Sequence, residues 1–141
     1  AYFGHYGNEF LRVDLDSGNI DWRYSSKRDG FVSSPAINDK YVVFGGRDKN
    51  LHCVTRKDGT PQWKFKTRRK VDASPVITGD KVVFGSGDGR LYLLSLKDGK
   101  ELWNYDVGKA IYSSPAVVDD MIIVGTGDHR VYAFHAPVSG K

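Results

Sequence analysis

The side chains able to do chemistry in this chain are few and scattered. The histidines are His5, His52, His129 and His135. A zinc site takes two or more imidazoles at short spacing, such as i, i+2 on a strand or His-x-x-x-His, and these positions do not supply it. Cys53 is the only cysteine, which excludes an intrachain disulfide and a Cys-x-x-Cys pair. Leu93 and Ala133 hold the corresponding place further along, so a buried structural thiol is predicted. Ser33, Ser34, Ser74, Ser113 and Ser114 invite a nucleophile reading, but a catalytic serine is singular and needs a base beside it. These recur before Pro35, Pro75 and Pro115, which predicts a bond to neighbouring backbone in every unit instead. Gly85-x-Gly87-x-Gly89 has the look of a phosphate loop, yet no helical pattern follows to offer its N-terminus to an anion.

What recurs is the frame around these residues. Trp22, Trp63 and Trp103 lie about 40 residues apart, each four residues after a turn glycine, at Gly18, Gly59 and Gly99. Gly45-Gly46-Arg47-Asp48, Gly85-Ser86-Gly87-Asp88 and Gly125-Thr126-Gly127-Asp128 keep the same step. Such a period marks repeated supersecondary units, none able to bury its apolar face alone. Residues 71–107 show one unit clearly. Ser74–Thr78, Lys81–Gly85, Arg90–Leu96 and Glu101–Tyr105 read as strands separated by Gly-containing turns, with no helical period. Four antiparallel strands joined by tight turns make one blade of a β-propeller.

The fold class is therefore all-β, a propeller of four-stranded antiparallel blades with about 3.5 blades present. The predicted division is a three-stranded partial blade at 1–26, full blades at 31–67 and 71–107, and a three-stranded partial blade at 111–137. Propellers close with more blades than this, so the chain is either an excerpt of a longer propeller, the preferred reading, or it completes its ring with a second copy. It opens Ala1-Tyr2-Phe3 with neither an initiator methionine nor a signal-peptide pattern, which also reads as processed or excerpted. Aromatic content of 13% and continuous apolar alternation argue against disorder. No apolar run approaches the ~20 residues that span a membrane, so no membrane insertion is expected.

Val13-Asp14-Leu15-Asp16-Ser17-Gly18-Asn19-Ile20-Asp21-Trp22 resembles the tryptophan-docking motif of quinoprotein-type (PQQ-like repeat) β-propellers. Leu94 to Trp103 is a looser copy and Val54 to Trp63 looser still; the likeness runs through essentially all 141 residues. The resemblance implies that Trp22, Trp63 and Trp103 are structural, stacked between blades beside Gly18, Gly59 and Gly99. It also implies one of two branches. Quinoprotein dehydrogenases hold pyrroloquinoline quinone and Ca²⁺ and oxidise alcohols or sugars, using a catalytic aspartate, oxygen ligands for calcium and a planar tryptophan under the quinone. The non-catalytic branch includes BamB-type outer-membrane assembly lipoproteins, cell-surface repeat proteins and lumenal sensor domains of kinases. This chain has no tryptophan outside the three repeat positions and no adjacent cysteine pair, and its acidic residues fall almost entirely in hairpin turns. The expectation is a non-enzymatic scaffold in an extracytoplasmic location, without catalytic residues, cofactor or metal; the quinone and calcium belong to the dehydrogenase alternative.

Net charge is +4, and the repeat distributes it unevenly. Fourth-to-first connections and second-to-third turns share one face of the disc, which gathers Lys27, Arg28, Arg47, Arg68, Arg69, Lys70, Arg90 and Arg130. The opposite face gathers Asp14, Asp16, Asp39, Asp58, Asp80, Asp98 and Asp119. A face of one sign steers an oppositely charged partner, so these cations are the candidate binding residues and an acidic protein the candidate partner. Nucleic acid is not expected, because no aromatics are interleaved with the cations along the loops.

Overall fold

The computed structural model describes residues 1–26 and 29–135. Lys27 and Arg28, and the end of the last predicted blade at 136–137, lie outside the described residues. Fourteen strands form four antiparallel sheets, and no helix occurs among the described residues. Blade 1 contains β1 (Tyr2–Gly4), β2 (Glu9–Val13) and β3 (Ile20–Ser25). Blade 2 contains β4 (Ala36–Ile37), β5 (Tyr41–Gly45), β6 (Asn50–Thr55) and β7 (Pro61–Lys66). Blade 3 contains β8 (Val76–Thr78), β9 (Lys81–Gly85), β10 (Arg90–Ser95) and β11 (Glu101–Asp106). Blade 4 contains β12 (Ala116–Val118), β13 (Met121–Gly125) and β14 (Val131–His135). Within each sheet every strand pairs only with its neighbours in sequence, as a meander must. The result is an open, partial propeller.

The inner strands are shorter than predicted, β8 starting at Val76 rather than Ser74. Pro75 has no N–H to give a ladder, and the Ser74 N–H turns sideways to the Ser114 hydroxyl 3.2 Å away. Successive residues of the second strand face opposite blades. Val42 packs into the first seam, with Phe10, Trp22, Tyr24, Phe31 and Phe44. Val43 packs into the second, with Leu51, Cys53, Val82, Phe84 and Tyr92. Val83, Leu91, Ile111 and Val124 fill the third. Burial on both faces is why these strands read as unbroken apolar runs rather than alternating ones.

Each outer strand bulges one residue before its tryptophan: Trp22 pairs with Arg12 while Ile20 pairs with Val13. The same slip occurs at Cys53/Val54 and Leu93/Leu94. A bulge re-aims the side chain beside it, here toward the next blade. Trp22 Nε1 donates to the Arg56 carbonyl at 3.2 Å and Trp63 Nε1 to the Leu96 carbonyl at 2.8 Å. The rings lie over Gly59 (φ 72°) and Gly99 (φ 70°), where a Cβ would come within 2.7 Å of Trp22 and 2.6 Å of Trp63. Gly18 has the same φ of 73°, yet nothing lies within 4 Å of its Cβ position. Gly18→Ala is therefore expected to cost only the left-handed backbone strain of about 1 kcal/mol. Gly99→Ala adds overpacking against an indole, for a total of about 2–4 kcal/mol. Urea denaturation of the two variants checks this; equal losses would mean the ring contact contributes nothing.

Candidate functional site

Several groups that could have been reactive hold the blades, whereas His135 pairs with Asp120 at 2.9 Å on the surface. Cys53 is buried in the second seam, and burial pushes its thiol up to about 12, which leaves it without thiolate character. Ser33 Oγ accepts the Gly45 N–H at 2.7 Å and donates to the Gly45 carbonyl, and Ser113 does the same with Gly125. Ser74 Oγ accepts the Ser34 N–H at 2.9 Å, and Ser114 Oγ the Ser74 N–H, tying each inner strand to the next blade. The turn acids are likewise committed. Hydrogen bonds from Thr55 and Thr60 hold the Asp58 carboxyl down to about 2.

His52, which its repeat position suggests is half-buried, is fully buried and bonded at both nitrogens. Its ring stacks on Phe44 (centroids 5.5 Å, 7°) and meets Phe31 edge-on at 5.2 Å. Nε2 lies 2.9 Å from Asp48 Oδ1 and Nδ1 2.8 Å from the Tyr24 hydroxyl. An ionised Asp48 only accepts, so Nε2 carries a proton, and the Tyr24 hydroxyl meets the other ring nitrogen, Nδ1. Burial raises the Asp48 carboxyl most strongly of any single cause, but His52 and Asn50 together outweigh it and the net direction is down; burial raises Tyr24. The next seam solves the same problem with two polar atoms fewer. Tyr92 replaces His52 and donates to Asp88 at 2.9 Å, and Phe65, which has no hydroxyl, replaces Tyr24.

The loop at Thr67–Lys70 of the basic face is pinned by hydrogen bonds. Thr67 is 3% exposed; its N–H and hydroxyl reach the Lys49 carbonyl at 2.8 and 3.0 Å, and the hydroxyl also reaches Arg69 O. Arg68 N–H donates to Asp88 Oδ2 at 3.0 Å, and Gly87 N–H to Lys70 O at 3.0 Å. On this frame the predicted cations divide. Arg47 forks Asp72 at 3.1 and 3.3 Å, and Lys70 meets the same carboxylate at 3.1 Å. Arg90 pairs with Asp106 at 3.2 Å and Asn104 at 3.0 Å, and Arg130 sits 3.6 Å from Asp128. Arg68 and Arg69 are exposed, and neither has an ion-pair partner among the described residues.

Folding also adds two aromatics to this face that the loop sequences keep apart from the cations. Arg47 stands over the exposed Tyr6 ring (5.1 Å), and Lys70 over the exposed Tyr112 ring (5.9 Å). A continuous strip results, Tyr6–Arg47–Asp72–Lys70–Tyr112, drawn from loops of every blade. The available signal was departure from the period: the position occupied by Val32, Asp72 and Tyr112 has no constant residue type.

No group of three or more His, Cys, Asp or Glu converges to hold a metal ion among the described residues. Trp22 and Trp63 pack within the seams, while Trp103 is exposed and lines an open cleft with Leu93, Ile122, Phe134 and His135. No helix of the described residues is long and apolar enough to cross a membrane.

The family model described as outer membrane protein assembly factor BamB matches residues 47–137. The crystal structure of BamB from Moraxella catarrhalis is similar, at 22% identity and TM-score 0.78, over 92% of this chain and 40% of that one. The computationally designed Ika4 protein is similar at 17% identity and TM-score 0.84, covering 95% of this chain and 83% of that one. A europium-containing methanol dehydrogenase is similar at 20% identity and TM-score 0.64, over 73% of this chain and 22% of that one. No curated protein sequence matches. At these identities the structural likeness shows a shared fold, and the chain spans less than half the length of the BamB chain it matches.

Proposed function

Because the chain belongs to the BamB family of PQQ-like repeat β-propellers, we propose that it is a non-enzymatic scaffold that binds protein partners in an extracytoplasmic assembly, such as that of outer-membrane proteins. One observation carries this reading: the thiol, buried imidazole and indoles hold seams together, while Arg68, Arg69, Tyr6 and Tyr112 are displayed on pinned loops. Exposed arginine and tyrosine on a rigid frame are what protein interfaces enrich. Rigid loops also lose little entropy on binding.

The test is a photo-crosslinking amino acid at Arg69 on the basic face and at Lys97 on the opposite face, activated in the native host. A discrete adduct from position 69 alone is the expected result. Adducts of equal yield from both positions, or from neither, would overturn the scaffold reading for this face.

The likeness to a methanol dehydrogenase supports a second reading, a segment of a quinone-dependent alcohol oxidoreductase. Protein supplied with pyrroloquinoline quinone and Ca²⁺ is expected to give no dye reduction with alcohols or aldoses. Turnover would displace the scaffold reading.

A further inference from the structure

We infer that the Tyr6–Arg47–Asp72–Lys70–Tyr112 strip, with Arg68 and Arg69 beside it, is a docking track for an extended acidic peptide segment carrying apolar or aromatic residues between its carboxylates. The inference rests on the scaffold reading and names the chemistry of its partner.

Three features of the track select this ligand. The charge is discrete. Asp72 is 15% exposed and satisfies Arg47 and Lys70 together, so two cations share one carboxylate and the cluster keeps a net positive charge. Arg68 and Arg69 add two guanidinium groups with no ion-pair partner among the described residues, each able to take a carboxylate through paired N–H donors. Second, the track is amphipathic. Tyr6 is 71% exposed and Tyr112 54% exposed, each with a cation over its ring, offering apolar area next to positive charge. Third, the track is preformed. A Cβ on Gly87 would stand 3.1 Å from Lys70 O, 3.5 Å from Arg69 Cβ and 3.7 Å from the Tyr112 ring. The missing side chain lets the arginine turn and the tyrosine close together.

A polyphosphate is a poorer match. Asp48, Asp88 and Asp128 recur in the loops of blades 2, 3 and 4, and with Asp72 they would repel a uniformly charged backbone. A peptide can space its carboxylates between them.

The probe is a fluorescein-labelled dodecapeptide with four glutamates and two tyrosines separated by glycine and serine, followed by anisotropy at low and moderate salt. Its glutamine counterpart and a fluorescein-labelled single-stranded dodecathymidylate are the comparison ligands. The glutamate peptide is expected to bind saturably, with the glutamine form at least about tenfold weaker. Arg68→Ser with Arg69→Ser is expected to weaken the glutamate peptide by about tenfold and to lower its salt dependence. Tyr112→Ala is expected to weaken it by about fivefold while leaving the salt dependence unchanged. Lys97→Ser, on the opposite face, is expected to change nothing.

Equal binding of the two peptides, an equal loss at Lys97→Ser, or tighter binding of the oligonucleotide would each overturn the inference. A crosslink confined to position 69 together with no acidic-peptide binding would remove this inference and leave the scaffold reading standing. Crosslinking without face preference would remove the reading itself.

Discussion

Trp22→Ala is expected to lower the unfolding free energy by about 3–5 kcal/mol, whereas Trp103→Ala, the same residue type at the same point of the repeat, is expected to lower it by about 1–2 kcal/mol. Trp22 is 8% exposed, and its Nε1–H bonds to the Arg56 carbonyl at 3.2 Å. Its ring stacks near Phe10 (centroids 6.2 Å) and meets Tyr2 at 6.0 Å, with Gly59 beneath. Truncation removes a large apolar area, opens a void between two sheets that cannot both relax, and orphans a carbonyl. Trp103 is 36% exposed, and its Nε1 makes no hydrogen bond to a described residue. Its ring touches Phe134 at 5.4 Å and Tyr105 at 6.1 Å. Trp63, partly buried and bonded to Leu96 at 2.8 Å, is expected to fall between. Urea titration followed by far-ultraviolet circular dichroism, which does not depend on the indole removed, ranks the three. Equal losses would show that the motif acts within its own blade and not through the seam.

The second large effect is expected at His52. His52→Leu keeps the apolar volume between Phe44 and Phe31 but deletes both hydrogen bonds, leaving the Asp48 carboxylate and the Tyr24 hydroxyl without their shared partner. Losing one member of a buried charge-assisted pair is expected to cost about 2–4 kcal/mol. The neighbouring seam supplies the rescue. His52→Tyr combined with Tyr24→Phe reproduces the Tyr92, Phe65 and Asp88 arrangement, in which one hydroxyl meets one carboxylate. The double variant is expected to lie within about 1 kcal/mol of the parent, while His52→Tyr alone retains a Tyr24 hydroxyl with no acceptor at the ring. The double-mutant cycle measures that coupling directly. A His52→Leu variant as stable as the parent would mean that the network merely fills space.

The blade repeat was legible because it is written locally. Tyr41–Gly45 and Lys81–Gly85 are apolar on both faces, and the glycines at 18, 59 and 99 sit where the turns need a left-handed residue. Strand order follows, since tight turns join consecutive strands antiparallel. The hydroxyls of Ser33, Ser74, Ser113 and Ser114 tie backbone, because a role that repeats with the fold belongs to the fold. His52 was harder. Its place in the repeat predicts packing, but its two bonds depend on Tyr24 in another blade and Asp48 in a turn.

Sequence alone thus determined the propeller and its blades, encoded by neighbours along the chain. Tertiary structure decided which of three equivalent tryptophans is sealed, and which cations are paired and which are displayed. It also decided that Tyr6 and Tyr112 join the arginines and lysines. Those outcomes depend on residues from different blades meeting across a seam, and a contact made by sheet stacking leaves no period in the chain to read.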